Sequence, residues 1–246
     1  MTGEVATKVP ARVATRSGFF VYMSVGFLAI ALIAFSTTFF LPLARGTFVA
    51  PPVTYLHGTL LFAWLIFLIA QASLIRVRNV SLHRRLGWLG ASLGVAIVIS
   101  GVAVSLRMTR RELAAGGGDV VLRVFVNNLL AFLIFGSLVA AAVVLRRDTE
   151  SHKRLLLLAT ISVLGAAWSR FDQFFPAFEN DWFFFAIAFS PLLIAIARDL
   201  TAYKRVHPVY IGVGGLLVAV QMIAPLASQS GAWLRVARWL LGEAAI

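Results

Sequence analysis

Four histidines are the residues of this chain best suited to chemistry. Three of them, His83, His152 and His207, stand just before the third, fifth and seventh of seven long apolar stretches. If every stretch crosses a membrane, these imidazoles share one face, because alternate helices begin on the same side. Neutral imidazole binds haem iron, zinc and copper, so the three rings predict one haem or divalent-metal site. His57 lies on the opposite side, about one helical turn inside the second stretch.

Cations flank the three histidines and bear on the kind of ligand they could hold. Arg84 and Lys153 directly follow two of the rings, and Arg205 precedes the third by two positions. Positive charge repels a bare metal ion but attracts haem propionates or phospholipid. The alternative is that histidine and arginine simply populate the membrane interface where helices start, with Ser151 and Pro208 as start signals. The sequence leaves both interpretations open.

A second pattern is a polar stripe on the second stretch, formed by His57, Trp64 and Gln71 at intervals of seven. Seven helical residues return to within about 20° of the starting direction, so the three side chains share one face. That face should point into the bundle, because histidine and glutamine are disfavoured in lipid. The stripe predicts either a ligand pocket or a seam of interhelical hydrogen bonds.

The third stretch carries a row of glycines on one side: Gly87, Gly90, Gly94 and Gly101. Small residues at these spacings allow a neighbouring backbone to approach closely, which predicts tight helix packing. The alternative is that the edge of a flat cofactor lies against the row, with a haem held by His83.

Polar residues also gather at the opposite ends of the stretches, near the depth of His57: Asn127, Asn128, Arg170, Asp172 and Gln221. Arg170 and Asp172 point about 200° apart on one helix, so each needs a partner on a neighbouring helix. Ionisable residues within a span commonly serve function, and the set predicts an outward-facing pocket for a small molecule. The alternative is a buried ion pair that fixes the order of the helices. A proton relay between His57 and Asp172 is a further interpretation.

Composition indicates the fold class. Of 246 residues, 60% are hydrophobic and 13% charged, whereas soluble domains have roughly a quarter charged. A bilayer core of about 30 Å needs about 20 apolar helical residues. These facts predict an all-α polytopic membrane bundle of seven transmembrane helices, since period-2 alternation is lacking. The predicted spans are 18–43, 53–75, 86–106, 121–145, 155–175, 182–202 and 208–226.

The net charge of +12 is explained by membrane topology rather than by nucleic acid. Most lysines and arginines flank the spans on the side of the N-terminus, so the positive-inside rule predicts N-in and C-out. The cluster of Arg107, Arg110 and Arg111 opposes that orientation. Basic edges also attract anionic lipids of the bilayer. The absence of cysteine excludes disulfides and thiolate metal sites.

Three regions are predicted along the chain. Residues 1–17 form a disordered basic cytoplasmic tail, 18–226 the membrane domain, and 227–246 an interfacial amphipathic segment containing a short helix. Within the sixth span, Ser190 and Pro191 predict a kink, because proline cannot complete the helical hydrogen bonding.

Short motifs around the histidines carry a resemblance: His57-Gly58, Leu82-His83-Arg84-Arg85-Leu86-Gly87, and His152-Lys153-Arg154-Leu155. With Gln71, they resemble an uncharacterised family of bacterial multi-pass membrane proteins over residues 57–171, and more weakly around His207. Membership implies a location in the bacterial inner membrane and no particular mechanism.

The same histidine pattern is distantly similar to the transmembrane cytochromes b that pass electrons from ascorbate across membranes. That resemblance implies haem held by pairs of histidines, one pair near each face. Here His83, His152 or His207 could supply an inner pair, whereas His57 lacks a histidine partner. At most one inner haem is therefore expected.

Three functional hypotheses result. The first is a redox-related protein that binds one b-type haem or a divalent metal through His83, His152 and His207. The second is a transporter, or a module that binds a small molecule or lipid in the outward-facing pocket. The third is an assembly partner without a ligand. Catalytic motifs of soluble enzymes are lacking in the sequence.

Overall fold

A computed structural model of the protein describes residues 18–242, apart from the side chains of residues 178 and 179. Within that range the chain is helical and has no strand, which confirms the all-α class. The predicted basic tail at residues 1–17 lies outside the described residues, as do the last four residues of the predicted C-terminal segment.

Eleven α-helices follow one another through the described range. They are α1 Phe19–Ala34, α2 Leu41–Ala44, α3 Pro52–Arg76, α4 Val80–Ala114, α5 Asp119–Val144, α6 Thr149–Val163, α7 Gly165–Trp168, α8 Asp181–Ala188, α9 Ser190–Tyr203, α10 Gly215–Ala227 and α11 Gly231–Leu241. Between them lie π-helical segments at Ser36–Phe40 and Tyr210–Gly214, and 3-10 segments at Ser169–Gln173 and Pro176–Glu179. Short connections make α3, α4, α5 and α6 successive antiparallel neighbours.

Five helical segments are long and apolar enough to cross a membrane. They are Pro52–Arg76, Val80–Ala114, Asp119–Val144, Thr149–Gln173 and Tyr210–Ala227. Two bent pairs of helical segments are long and apolar enough only when the two members of a pair are taken together. They are Phe19–Ala34 with Ser36–Ala44, bent by 49°, and α8 with α9, bent by 43°. The count is therefore five, or up to seven if each bent pair is one span. This architecture fits a multi-pass membrane protein.

The bend between α8 and α9 falls at Ser190 and Pro191, where the sequence predicted a kink. Proline has no N–H to donate to the preceding turn, so the helix restarts at Ser190. The predicted span at 86–106 is longer in the structure, because α4 extends over 35 residues in both directions.

The glycine row of α4 divides into two parts. A Cβ atom added at Gly90 would lie 2.4 Å from the ring of Phe67, and one at Gly101 would lie 2.4 Å from the ring of Phe132. Gly94 is similarly covered by Val139 of α5. These three glycines therefore serve close helix packing. Gly87 differs, because nothing lies within 4 Å of its Cβ position.

The C-terminal helix α11 packs on α5 rather than standing alone. Ala237 is fully buried and Leu241 is 5% exposed, in a small cluster with Phe125. Arg238 forms an exposed ion pair with Asp119 at 2.8 Å. The predicted amphipathic helix is present, and the face buried against α5 is opposite the exposed Trp239.

Candidate cofactor and ligand sites

Trp64 lines two neighbouring cavities in the described part of the bundle. The larger, about 630 Å³, is lined by His83 and His152 and is called the His83 cavity. The smaller, about 240 Å³, is lined by His57 and Arg170 and is called the His57 cavity. The stripe predicted on α3 thus runs from the His57 cavity through Trp64 to Gln71 in the His83 cavity.

The His83 cavity is enclosed by α3, α4, α5 and α6. Its walls are mostly apolar and aromatic, and include Phe67, Trp88 and Leu156. The charged residues on its lining are Arg84, Arg146 and Arg147, which are exposed. The cavity therefore combines an apolar interior with a cationic rim.

His152 is held in one orientation at this cavity. Its Nδ1 lies 2.8 Å from the carbonyl oxygen of Ala142, in the last turn of α5. Because a carbonyl can only accept, Nδ1 carries a proton, and in the neutral ring the lone pair is therefore on Nε2. The contact caps a carbonyl that lacks a helical donor. It is also the arrangement in which histidine ligates metals, with the second ring nitrogen free.

Three buried polar atoms on the lining of this cavity have no partner within the described part of the chain. They are Nδ1 of His83 and both side-chain polar atoms, Nε2 and Oε1, of Gln71. The His83 ring also interacts with the backbone of Gln71, in a contact that does not give Nδ1 a well-formed hydrogen bond. Leaving such a group unpaired costs about 1–3 kcal/mol, so these atoms call for a ligand or water. The sequence singled out both residues as candidate site residues, but only the packing of α3 against α4 brings them together.

His207 lies elsewhere, outside the lining of both cavities. Its backbone N–H donates to Asp199 at 3.2 Å, and its Nδ1 accepts from the N–H of Val209 at 3.3 Å. Burial, together with the nearby charge of Arg154, lowers the pKa of His207.

The three predicted inner histidines do not form one metal site. Among residues 18–242, no group of three or more histidine and carboxylate side chains is arranged to hold a metal ion. His83 and His152 share a cavity, whereas His207 belongs to a different polar network. The reason is that equal depth in a bundle does not fix which neighbour a side chain faces.

The polar network that includes His207 is centred on a buried ion pair that we did not predict from the sequence. Arg154 and Asp199 have side chains that are each 1% exposed, joined at 2.6 Å and 3.1 Å in a two-point contact. Glu150 adds a third contact to the guanidinium at 2.5 Å, and the ring of Tyr210 lies 5.3 Å from it. The sequence signal for this pair was Asp199, a carboxylate near the end of an otherwise apolar stretch.

In the His57 cavity, His57 is also oriented by a hydrogen bond. Its Nδ1 lies 2.9 Å from Oγ of Ser100, whose hydroxyl donates to the carbonyl of Ile97 at 3.2 Å. The contact with Ser100 engages Nδ1 and fixes the orientation of the ring, and which of the two groups donates depends on the tautomer of His57. On the same cavity, Trp64 donates to Thr160 at 3.2 Å.

Arg170 does not pair with Asp172. Its guanidinium lies 4.2 Å from the ring centre of Phe35 and donates to the carbonyl of Ala166, while its Nε is buried without a hydrogen-bond partner. Asp172 is exposed and accepts from the backbone N–H of Gln173. The two side chains were expected to pair with neighbouring helices rather than with each other, but no ion pair of either is present among the described side chains, and Asp172 does not line the cavity with His57.

The other predicted outer residues are dispersed. Gln221 donates to the carbonyl of Ser162 at 3.2 Å, which is a seam between helices. Asn128 is exposed, and Oδ1 of Asn127 is buried without a partner. Of the outer set, only Arg170 joins His57 in lining the His57 cavity.

The arrangement offers two different chemistries. The His83 cavity presents two imidazoles and a cationic rim, and the His57 cavity presents one cation and one imidazole among aromatic rings. Comparisons of the chain with models of protein families, with curated proteins and with solved structures found no match.

Proposed function

We propose that the protein is a membrane-embedded redox protein that binds one b-type haem in the His83 cavity, where His83 and His152 would hold it. The observation that carries the proposal is that two imidazoles line one cavity of about 630 Å³. Binding sites for cofactors typically measure roughly 300–1,000 Å³, so the volume is suitable. Haem would supply one-electron chemistry to an otherwise redox-inactive chain.

The ligand chemistry of the two histidines supports this assignment. Nε2 of His152 is a free lone-pair donor, because Nδ1 donates to the Ala142 carbonyl at 2.8 Å. His83 comes from the facing helix α4 and has a buried Nδ1 that lacks a partner in the described residues. Two neutral imidazoles from separate helices are a common way to hold a b-type haem.

The walls and the rim support it as well. Nothing lies within 4 Å of the Cβ position of Gly87, so a flat ring has room against α4 at this point. Arg84, Arg146 and Arg147 lie on the lining, where their guanidinium groups can pair with the two propionates. Because these three cations would attract propionates and repel a bare metal ion, they favour haem over a metal ion as the occupant.

The test of the proposed function is a reduced-minus-oxidised absorption spectrum of the full chain, purified in a mild detergent from cells supplied with a haem precursor. We expect sharp α and Soret bands at about one haem per chain. A colourless preparation under these conditions, which also fails to take up added hemin, would overturn the proposal.

We further propose that the chain resides in a bacterial inner membrane with anionic lipids, and that the His83 end faces the cytoplasm. The support is the positive-inside rule, applied to the arginines that flank this end. Because the chain has no cysteine, single cysteines at the exposed positions Ser81 and Ala114, at opposite ends of α4, report its orientation.

In intact cells, a membrane-impermeant maleimide is expected to label Ala114→Cys. Ser81→Cys should react only after the cells are permeabilised. The reverse pattern would show that the His83 end faces outward, and it would leave the haem proposal untouched.

A further inference from the structure

The His57 cavity has features of a second site that the haem proposal does not use. It measures about 240 Å³, and aromatic rings such as Phe35, Phe39 and Phe62 form much of its lining. A cavity of about 150 Å³ is enough to hold benzene, so this one has room for a molecule of one or two fused rings. It is too small for haem or for a whole phospholipid.

Arg170 gives this apolar cavity a positive charge. Among the described side chains no carboxylate forms an ion pair with it, since the ion pairs of the structure lie elsewhere. Its contacts are the Phe35 ring, the Ala166 carbonyl and the cavity, and its Nε is buried without a hydrogen-bond partner. The exposed carboxylate of Asp172 acts on it only from beyond ion-pair distance. An arginine in a membrane span normally has a counter-charge, so an anion is the missing partner.

His57 defines a second point of recognition. Ser100 engages Nδ1 and fixes the ring, and Nε2 has no hydrogen-bond partner within the described residues. The hydroxyl groups of Thr38 and Thr54 also line the cavity. A ligand can therefore place a negative group at Arg170 and a hydrogen-bonding group toward Nε2 of His57.

From these observations we propose that the His57 cavity binds a small apolar monoanion, of the class of aromatic carboxylates, with its carboxylate against Arg170. Guanidinium and carboxylate match in geometry, and the aromatic lining holds the apolar body. The site is separate from the His83 cavity, with Trp64 between them, and it does not depend on haem.

The experiment uses the full chain in a neutral detergent, with 2-naphthoate as the probe and 2-naphthamide as its neutral counterpart. Isothermal titration calorimetry is expected to show saturable binding of 2-naphthoate, and at least tenfold weaker binding of the amide. Palmitate is the second probe, because a fatty acid from the lipid also carries a carboxylate. It should bind more weakly than 2-naphthoate because the cavity is small. Palmitate binding that exceeds naphthoate binding would overturn the assignment to a small acid.

Two variants with matched controls locate the site. Arg170→Gln should weaken 2-naphthoate binding at least tenfold, whereas Arg123→Gln, which also removes a guanidinium with an unpartnered buried Nε, should not. Gly58→Leu should block binding, because Gly58 lines the cavity and nothing lies within 4 Å of its Cβ position. Gly26→Leu, equally free of contacts but away from the cavity, should bind as the unaltered chain does.

Absence of saturable binding to the unaltered chain, or full binding by both Arg170→Gln and Gly58→Leu, would overturn the inference. His152→Ala separates this outcome from the haem proposal, since it should lose haem and keep 2-naphthoate binding.

Discussion

Replacing Asp199 by alanine is expected to lower the free energy of unfolding by about 3–5 kcal/mol, the largest effect on stability that we expect from a single substitution here. Arg154 and Asp199 are each 1% exposed, and their contact has two points, at 2.6 Å and 3.1 Å. The variant would leave the guanidinium charge buried with only Glu150 beside it, which is half-exposed. It would also remove the acceptor of the His207 backbone N–H.

The measurement is reversible unfolding of the purified chain in mixed micelles, followed by circular dichroism. Asp119→Ala is the matched control, because it removes an exposed ion pair with Arg238 whose side chains are 50% and 44% exposed. Exposed pairs contribute about 0–1 kcal/mol, so the control should unfold nearly as the unaltered chain does. Equal stability of the two variants would contradict the role assigned to the buried pair.

A double variant separates loss of the ion pair from loss of packing. Arg154→Met combined with Asp199→Leu replaces both charges by apolar groups of similar size. We expect it to recover most of the stability lost in Asp199→Ala, since a buried pair is often replaceable by apolar side chains. If the double variant is as unstable as the single one, the network matters through its hydrogen bonds to α6 and to His207.

The second large effect is expected on haem content. His152→Ala and His83→Ala should each abolish the α and Soret bands of the purified protein, because each removes one of the two imidazoles that would hold the haem. His207→Ala should keep the spectrum, since His207 does not line the cavity and its Nδ1 accepts from Val209. Retention of full haem content by both His83→Ala and His152→Ala would reject the assigned ligands.

A cavity-filling variant tests the site without touching a histidine. Gly87→Leu places an isobutyl group in open space on the cavity lining, so it should exclude haem while leaving the fold intact. Gly26→Leu adds the same group where nothing lies within 4 Å of the Cβ position, outside both cavities. Equal haem content in the two leucine variants would show that the flat ring does not lie against α4.

Much of the fold follows from the sequence, for a physical reason. A bilayer requires about 20 apolar residues per helix and satisfies no backbone group itself, so composition alone predicts a helical membrane bundle. The His57, Trp64 and Gln71 stripe could also be predicted, because helical periodicity is a local property of one segment. The position of the bend at Pro191 follows equally from local chemistry.

The pairing of residues across helices was decided by the tertiary structure. Periodicity gives the direction of a side chain about its own helix axis, but not which neighbour faces it. For this reason the sequence grouped His207 with His83 and His152, and it expected a partner for Asp172, which is exposed.

The same reason explains the buried ion pair and the divided glycine row. Arg154 and Asp199 are 45 positions apart, and only the packing of α6 beside α9 makes them partners. Gly90 and Gly101 meet rings on adjacent helices, whereas Gly87, of the same row, opens into the His83 cavity. The sequence by itself determined the class of protein and the faces of its helices. Helix packing determined which polar groups meet and where space remains for a ligand.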